Sequence, residues 1–335
     1  MKKRSKIPAI WRIDIEPDDH APQVGQQPWR GFVAMFELVE KHRATLSERS
    51  GHTAQPNWFV RLDLDIERCF GRADFVVHEY QDLFAKILNY QDPLGIHVHY
   101  LRWDEARQVV FSEHSDQAWM NHCFKFAAEN FERTFGQKLR LTSQGGYFLS
   151  EATIDNLIKM EVAVDVTPEP GLPPKLGDVS LGAYCTEPTP DYRQFPRRPY
   201  FPSRAAMHIA ARSQADVRPL VLIPLSSLDY DVASLPWYRQ IARKILRRPS
   251  KPRPLNVWRS WGSPKNYWDL VAKAADDQPA RYFTFAMRTD PPEAQSFQNV
   301  KALLDYLPLH PISERLQFVD ARGKEMRALA AQGVK

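Results

Sequence analysis

The sequence predicts an α/β fold that is built on a mainly parallel β-sheet. Short apolar segments with strand character alternate with amphipathic segments over 335 residues, and this alternation is typical of parallel strands joined by helices. Several of the predicted strands end in polar residues, at the position where α/β folds gather functional groups. From this pattern alone, the sheet is either closed into a barrel or open and doubly wound.

The predicted strands are short apolar runs bounded by turn or polar residues. They cover residues 9–16, 58–65, 95–100, 162–166, 220–224, 281–286 and 316–319. The predicted helices have apolar residues at helical spacing. They cover residues 31–46, 77–88, 117–135, 150–160, 266–275 and 299–307. Ser150 is a suitable N-cap for its helix, because an acid follows it in the first turn.

A proline-rich stretch, residues 168–202, interrupts this alternation. It is too long for a simple connection between two elements, so we expect a functional loop or lid over one face of the sheet. Strand signals resume beyond it, which argues against a domain boundary. The sequence therefore predicts a single domain over residues 1–335.

The composition limits the class of protein. It is 43% hydrophobic and 25% charged, as in a soluble globular protein. No apolar run approaches the roughly 20 residues that span a bilayer, and the basic N-terminus lacks the apolar core of a signal peptide. A cytoplasmic location is expected. The three cysteines, Cys69, Cys123 and Cys185, are widely spaced and are expected to be free thiols.

The net charge of +5 is concentrated in residues 241–253, which contain no acid. Such a run favours contact with nucleic acid or with an anionic membrane surface. A solvated helix end and loop is the simpler interpretation, because no zinc-finger spacing or RNA-binding signature accompanies the run. We therefore expect no nucleic-acid partner and no integral membrane segment. The sequence leaves the oligomeric state open.

Two of the predicted strands carry residues that suit a metal ion. In Ile13-Asp-Ile-Glu16 a pleated strand directs Asp14 and Glu16 to one face and the isoleucines to the other. His97 and His99 repeat this arrangement later in the chain. Carboxylate oxygen and imidazole nitrogen together suit a divalent ion such as zinc, with one position open for water. The combination predicts a metal hydrolase, whereas either pair alone is equally compatible with a solvated strand end or with structural histidines.

Other polar residues allow two interpretations each. Asp63 and Asp65 either support this site or form salt bridges with Arg61 or Arg68. The pair Gly145-Gly146 indicates a tight turn or a close approach of the backbone to a ligand. Neither a phosphate-binding glycine motif nor a G-x-S-x-G nucleophile elbow is present in the sequence.

The order of six segments resembles the polysaccharide deacetylase (NodB-homology) superfamily, carbohydrate esterase family 4. The resemblance is to its divergent members found with surface-polysaccharide genes. The matching segments are residues 13–19, 58–63, 95–103, 145–150, 164–171 and 285–290. This resemblance implies a distorted (β/α)₇ barrel, a divalent metal ion and the hydrolysis of an N-acetyl or O-acetyl group on a sugar.

The resemblance also implies roles for individual residues. Asp14 resembles the catalytic base of the family and Glu16 its acidic metal ligand, although the family usually has adjacent aspartates. His97 and His99 resemble the two histidine ligands, which the family more often spaces four apart. Asp165 lies in the strand that contains a further aspartate and is the second candidate catalytic residue. Should Glu16 point away from the site, Asp18 or Asp19 is the substitute ligand.

Two positions depart from the family. Gln144 stands where an arginine commonly orients the base, and no late histidine is clearly placed as the general acid. His310 is the nearest candidate for that acid and is also compatible with a loop position. These departures put the activity in question more than the fold.

The implied mechanism is metal-assisted hydrolysis, in which the ion polarises the acetyl carbonyl and activates water while Asp14 takes the proton of that water. Aromatic residues of the proline-rich stretch either stack on sugar rings or pack in the core. These residues are Tyr192, Phe195, Tyr200 and Phe201. Two other functions stay open, namely a catalytically silent sugar-binding barrel in polysaccharide assembly and a metal-free glycoside hydrolase using Asp14 with Asp63 or Asp165.

Overall fold

The computed structural model describes residues 6–19, 29–176, 185–228, 241, 253–277 and 282–335. The strands are β1 (Ile7–Ile15), β2 (Pro56–Val60), β3 (Leu94–Val98), β4 (Leu101–Asp104), β5 (Val109–Ser112), β6 (Leu141–Gln144), β7 (Val164–Asp165), β8 (Val221–Leu222), β9 (Ser227–Leu228), β10 (Arg253–Pro254), β11 (Phe283–Arg288) and β12 (Leu316–Phe318). The helices are α1 (Arg30–Ser50), α2 (Leu64–Phe70), α3 (Phe75–Glu79), α4 (Gln81–Asn89), α5 (Gln117–Phe135), α6 (Glu151–Lys159), α7 (Pro264–Asp277), α8 (Gln295–Tyr306) and α9 (Lys324–Ala331).

The central sheet has the strand order β11-β1-β2-β3-β6-β7-β8, and β12 also pairs with β1. Every pairing in this sheet is parallel. Two short antiparallel pairs, β4 with β5 and β9 with β10, lie outside it. The seven strands of the main path curl into a parallel half-barrel, so the distorted (β/α)₇ barrel expected from the resemblance is confirmed.

A short segment, residues 255–257, links β11 to the chain that follows β8. The Leu255 N–H donates to the Ser226 carbonyl at 2.8 Å, and the Val257 N–H donates to the Ala286 carbonyl at 2.9 Å. Asn256 forms an isolated parallel bridge with Ala286. The curled sheet is thus continued toward closure by three residues without regular strand structure.

The two faces of the sheet bury different sets of side chains. Ile13 and Ile15 belong to the large core that packs against the helices, whereas Ile10 belongs to a smaller apolar cluster on the other face. The smaller cluster also contains Met326 of α9. Beyond Ile10, the strand alternation gives the same face Arg12, Asp14 and Glu16. The barrel interior is therefore apolar at one end and charged at the other.

Most predicted elements are present, with ends shifted by a few residues. The predicted strand 58–65 is wrong at its end, because β2 stops at Val60 and Asp63 caps α2 by accepting a hydrogen bond from the Ile66 N–H at 3.1 Å. Ser150 caps α6 as predicted, since its hydroxyl accepts from the Thr153 N–H at 3.1 Å. The sequence analysis missed α2, α9 and the β4–β5 and β9–β10 pairs, and the predicted helix 77–88 is divided into α3 and α4.

The proline-rich stretch packs along the sheet where it is described. The Leu225 N–H donates to the Pro168 carbonyl at 2.8 Å, and Tyr200 forms an antiparallel bridge with Leu222 of β8. Its role as a lid and the single-domain organisation stay predictions. Within the described residues, no disulfide bond joins the three cysteines. The basic run 241–253 falls almost wholly outside the described residues. In the described part of the chain, no helix combines the length and the apolar character that a membrane span requires.

Candidate metal centre

Glu16, His97 and His99 form a buried group whose ligand atoms all lie within 4.8 Å of one another. Nε2 of His97 is 3.5 Å from one carboxylate oxygen of Glu16, and Nε2 of His99 is 3.5 Å from the other. The two Nε2 atoms are 3.0 Å apart. Zinc bonds of about 2.0–2.1 Å in a tetrahedral site place neighbouring ligand atoms about 3.3 Å apart. The spacing therefore fits a small divalent ion, and the sequence analysis had predicted these three residues as its ligands.

The second ring nitrogen of His97 has a partner of its own. Nδ1 lies 3.0 Å from the Ser143 hydroxyl, and this hydroxyl in turn donates to Oδ1 of Asp14 at 3.3 Å. A ligand histidine that gives its Nδ1 proton to a neighbour presents the lone pair of Nε2 to the metal. The contact with Ser143 thus favours the tautomer that a metal site needs.

His99 packs against the backbone of Gly145. A Cβ atom at position 145 would lie 2.5 Å from the imidazole ring, so any larger residue would displace the histidine. The tight-turn interpretation of Gly145-Gly146 is confirmed, because Gly146 has a φ of +60° within a 3₁₀ turn over Gly145–Tyr147. The close approach of Gly145 is to the side chain of His99, and an approach to a ligand stays a prediction. Burial, helped by the positive charge of Arg61, lowers the pKa of His99 to about 4. The ring is therefore neutral near pH 7, which is the form that binds metals.

Asp14 is fixed by two parallel hydrogen bonds from Arg12. Nε of Arg12 donates to Oδ1 at 3.0 Å, and its Nη2 donates to Oδ2 at 2.8 Å. The remaining terminal nitrogen of Arg12 donates to the Val166 carbonyl at 3.1 Å. A bidentate guanidinium sets the plane of a carboxylate as well as its charge. Because Oδ1 of Asp14 is also only 3.7 Å from Nδ1 of His97, an oriented carboxylate lies beside the candidate metal ligands.

A second buried arginine, Arg61, connects the site to α2. Its guanidinium donates to both carboxylate oxygens of Asp63, at 2.9 and 3.1 Å, and lies 3.9 Å from Glu16. Asp65 pairs with Arg68 at 2.7 Å. The salt-bridge interpretation of Asp63 and Asp65 is therefore confirmed. Arg61 places a positive charge behind the acidic ligand.

Asp165 and Gln144 lie on the other face of the sheet. Asp165 accepts hydrogen bonds from the Thr142 hydroxyl at 2.8 Å, from the Gln144 amide at 3.1 Å and from the Thr167 N–H at 2.9 Å. Because Ser143 contacts Asp14, residues 142 and 144 must point the opposite way along β6. The structure does not bring Asp165 to the metal group. Its catalytic role stays a prediction that this position does not support. The guanidinium that contacts Asp14 comes from Arg12 and not from position 144.

The remaining predicted residues lie outside the site. His310 contacts Asp269 of α7 at 3.1 Å and accepts a hydrogen bond from the Ile312 N–H, so the structure does not place it as a general acid. Asp18 accepts from the Gly31 N–H at 2.9 Å at the start of α1, and no substitute for Glu16 is needed. The side chains of Tyr192, Phe195 and Tyr200 are buried, in agreement with core packing.

The sequence analysis missed a group of polar residues that starts at Arg12 and does not include the candidate metal ligands. Its members, each in contact with the next, are Tyr147, Lys175, Glu169 and Asn256. The ring of Tyr147 lies 5.4 Å from the Arg12 guanidinium and 4.8 Å from Nζ of Lys175. Glu169 accepts from the Asn256 amide at 3.2 Å and lies 3.7 Å from Lys175. The strand alternation would have found Arg12, two residues before Asp14, but no local pattern marks the others.

The comparisons with known proteins bear on the fold. No protein-family model and no curated protein matches the sequence. Among solved structures, the chain is similar to a proposed polysaccharide deacetylase from Mycobacterium smegmatis, with a TM-score of 0.50, 9% identity and coverage of 100% of this chain and 94% of that one. It is also similar to a proposed glycoside hydrolase/deacetylase from Parabacteroides distasonis, with a TM-score of 0.56, 14% identity and coverage of 97% and 71%. At these identities the similarity establishes the fold alone. The chain has the NodB-like fold of the polysaccharide deacetylases.

Proposed function

We propose that this protein is a divalent-metal-dependent deacetylase that removes an acetyl group from a sugar or from a surface polysaccharide. The observation that carries the proposal is the convergence of Glu16, His97 and His99, at the spacing of zinc ligands, beside a carboxylate held by a buried arginine. The fold supports it as well, because deacetylase appears in the names of both similar structures.

In this proposal Glu16, His97 and His99 hold the ion, which would polarise the acetyl carbonyl and lower the pKa of a water molecule. Zinc is the proposed ion, because imidazole and carboxylate ligands suit it. Asp14 accepts the proton of the attacking water as general base. Arg12 keeps the Asp14 carboxylate in one plane, so that little reorientation is needed when the proton moves.

Two contacts fix the proposed metal ligands and the proposed base relative to one another. The Ser143 hydroxyl lies between His97 and Asp14, and therefore couples the position of a ligand to that of the base. Arg61 lies close to Glu16 and balances part of the acidic charge of the site. Ser143 lies on β6, which is a more rigid support than a loop, and Arg61 directly follows the end of β2.

A glycoside hydrolase is less well supported. Such an enzyme needs one carboxyl group that keeps its proton near neutral pH. Although burial acts to raise it, the pKa of Asp63 is lowered by the Arg61 guanidinium. Asp165 lies on the other face of the sheet from Asp14. Neither residue fits the role of the acid partner of Asp14.

The first experiment measures metal content. The purified protein, loaded with zinc and dialysed, is expected to retain one ion per chain by elemental analysis, and the double variant His97→Ala/His99→Ala is expected to lose it. His122→Ala is the matched control, because His122 is an exposed histidine on α5. Metal retention by the double variant at the level of the wild type would refute the assignment.

The second experiment measures acetate. Zinc-loaded protein is expected to release acetate from acetylated sugar oligomers, and Glu16→Ala is expected to lose both metal and acetate release. If the wild type binds zinc but releases no acetate from any acetylated glycan, the silent sugar-binding barrel is the better interpretation.

A further inference from the structure

Tyr147 is held in an unusual backbone conformation at the edge of the site. Its φ is +57°, directly after Gly146 with φ of +60°. A non-glycine residue rarely adopts this region, and where it does the conformation is often part of a functional site. The turn is fixed on both sides, because Gly145 packs against His99 and the Tyr147 carbonyl accepts a hydrogen bond from the Tyr192 hydroxyl at 2.7 Å.

Two cations lie over the ring of Tyr147. The Arg12 guanidinium is 5.4 Å from the ring centroid and Nζ of Lys175 is 4.8 Å from it. Arg12 contacts both the Tyr147 ring and the Asp14 carboxylate, so its side chain connects the ring to the proposed base. Lys175 is anchored by Glu169 at 3.7 Å. Two positive charges would therefore lie close to the ring of a phenolate formed at Tyr147, where they oppose the negative charges of Glu169 and Asp14.

Tyr147 is partly accessible to solvent. It is half-buried, whereas Glu169 beside it is fully buried. Burial raises the pKa of Tyr147 well above its ordinary value, so the hydroxyl keeps its proton at neutral pH. His97 and His99 are the proposed metal ligands and His310 lies against α7, so none of these three histidines is placed to act as a general acid.

We propose that the Tyr147 hydroxyl is the general acid that protonates the leaving group of the sugar. This inference rests on the proposed deacetylase function. Water forms a bond to the acetyl carbon and gives a proton to Asp14. When the tetrahedral intermediate collapses, the electron pair of the breaking C–N bond takes the Tyr147 proton. Amine, acetic acid and a phenolate result; the acetic acid then loses its proton to solvent as acetate, and solvent exchange returns a proton to Tyr147 and removes one from Asp14.

The test compares two substrates that differ in what their leaving groups need. An acetylated chito-oligosaccharide releases an amine, which must be protonated, whereas 4-nitrophenyl acetate releases a stable phenolate, which need not be. Tyr147→Phe keeps the ring and its contacts with cations but removes the hydroxyl. We expect kcat for the oligosaccharide to fall by about 10²-fold or more, with kcat for the ester and the zinc content close to those of the wild type.

Tyr90→Phe is the matched control. Tyr90 lies 4.3 Å from the Arg43 guanidinium, so its ring has the same kind of contact with a cation, but it lies next to α4, and its side chain is 43% exposed. Both activities should be unchanged. A second variant, Lys175→Met, should lower kcat for the oligosaccharide alone by about tenfold, because one partner of the phenolate is lost.

Each other result overturns the inference in a distinct way. Equal losses on both substrates would mean that Tyr147 acts on the carbonyl oxygen or in binding. An unchanged kcat for the oligosaccharide in an active, folded Tyr147→Phe protein would show that the acid is another group. If the wild type hydrolyses neither substrate, the proposed function fails together with this inference. If Tyr147→Phe does not fold, a Lys175→Met variant that affects both substrates equally, or neither, would still contradict the assignment.

Discussion

Asp14 and Asp165 are both buried aspartates near the carboxyl ends of parallel strands, yet their surroundings differ in kind. Asp14 lies on the inner face of the sheet with a guanidinium and a histidine as neighbours. Asp165 lies on the face toward the helices and is surrounded by two hydroxyl or amide side chains and a backbone N–H. A position at the end of a strand thus shows where along the sheet a residue lies, whereas only the strand alternation shows on which face its side chain lies.

The two aspartates also differ in how their surroundings compensate a negative charge on the carboxylate. The negative charge of Asp14 is matched by Arg12 at 2.8 Å. Burial raises the pKa of Asp165, and the hydrogen bonds from Thr167, Gln144 and Thr142 oppose this only in part. Asp165 is therefore held by polar side chains of β6, whereas the arginine and the histidine beside Asp14 support its proposed role as a base.

The largest expected effect separates the two aspartates by activity. Asp14→Asn keeps the size of the side chain but removes its ability to accept a proton, so acetate release should fall by about 10²–10⁴-fold. Zinc content by elemental analysis should stay near that of the wild type, because Asp14 is not one of the proposed ligands. If Asp14→Asn loses the metal while Glu16→Ala keeps it, the roles of base and ligand are reversed.

The next effect concerns the arginine that orients Asp14. Arg12→Lys keeps the positive charge but loses the planar pair of donors, so the misplaced base should lower kcat by about 10²-fold. Arg43→Lys is the control, since Arg43 also donates two hydrogen bonds to one carboxylate, from Nη1 and Nη2 to Asp92 at 2.8 and 2.6 Å, but lies on α1. This control is expected to cost stability without lowering kcat. Equal kcat in the two variants would show that the Arg12 fork does not orient the base.

The smallest effect is expected at Asp165 and should appear in stability. In Asp165→Asn, an amide group replaces an oxygen that accepts from Thr142 and Gln144, so a buried donor is left without an acceptor. The free energy of unfolding, measured by urea denaturation, should decrease by about 1–3 kcal/mol. Acetate release per folded molecule should stay within a few-fold of the wild type. A loss comparable to that of Asp14→Asn would restore the catalytic role first predicted for Asp165.

The parts of the site that could be predicted lie on, or directly after, strands of at least five residues. β1 has nine residues, and its alternation, continued by one residue, assigns Asp14 and Glu16 to one face; the five residues of β3 do the same for His97 and His99. The same alternation, extended back by two residues, includes Arg12. β7 has only two residues, Val164 and Asp165, and shows no alternation from which a face could be assigned. Asp165 was placed at the site by the family resemblance and by its position near the end of a predicted strand, and neither of these assigns a face.

Other parts depend on contacts that no local pattern records. Tyr147 reaches the site through two successive residues with positive φ, and its neighbour Lys175 is far along the chain. Glu169 meets Asn256 across an even longer separation. The general fold was predictable because strand and helix periodicities are local, whereas these contacts arise only when the barrel curls.

The barrel is expected to open more readily at the segment 255–257 than between β1 and β11. β1 and β11 are paired over six residues, but residues 255–257 hold β11 through the Leu255 carbonyl and the Val257 N–H and meet Ser226 through one further bond. Cooperative units with few hydrogen bonds open at lower free energy than the rest of a domain, and their amide protons exchange with solvent first. Asn256 of this segment donates a hydrogen bond to Glu169. Local opening at residues 255–257 would therefore admit water to the charged end of the barrel interior before the apolar end around Ile10.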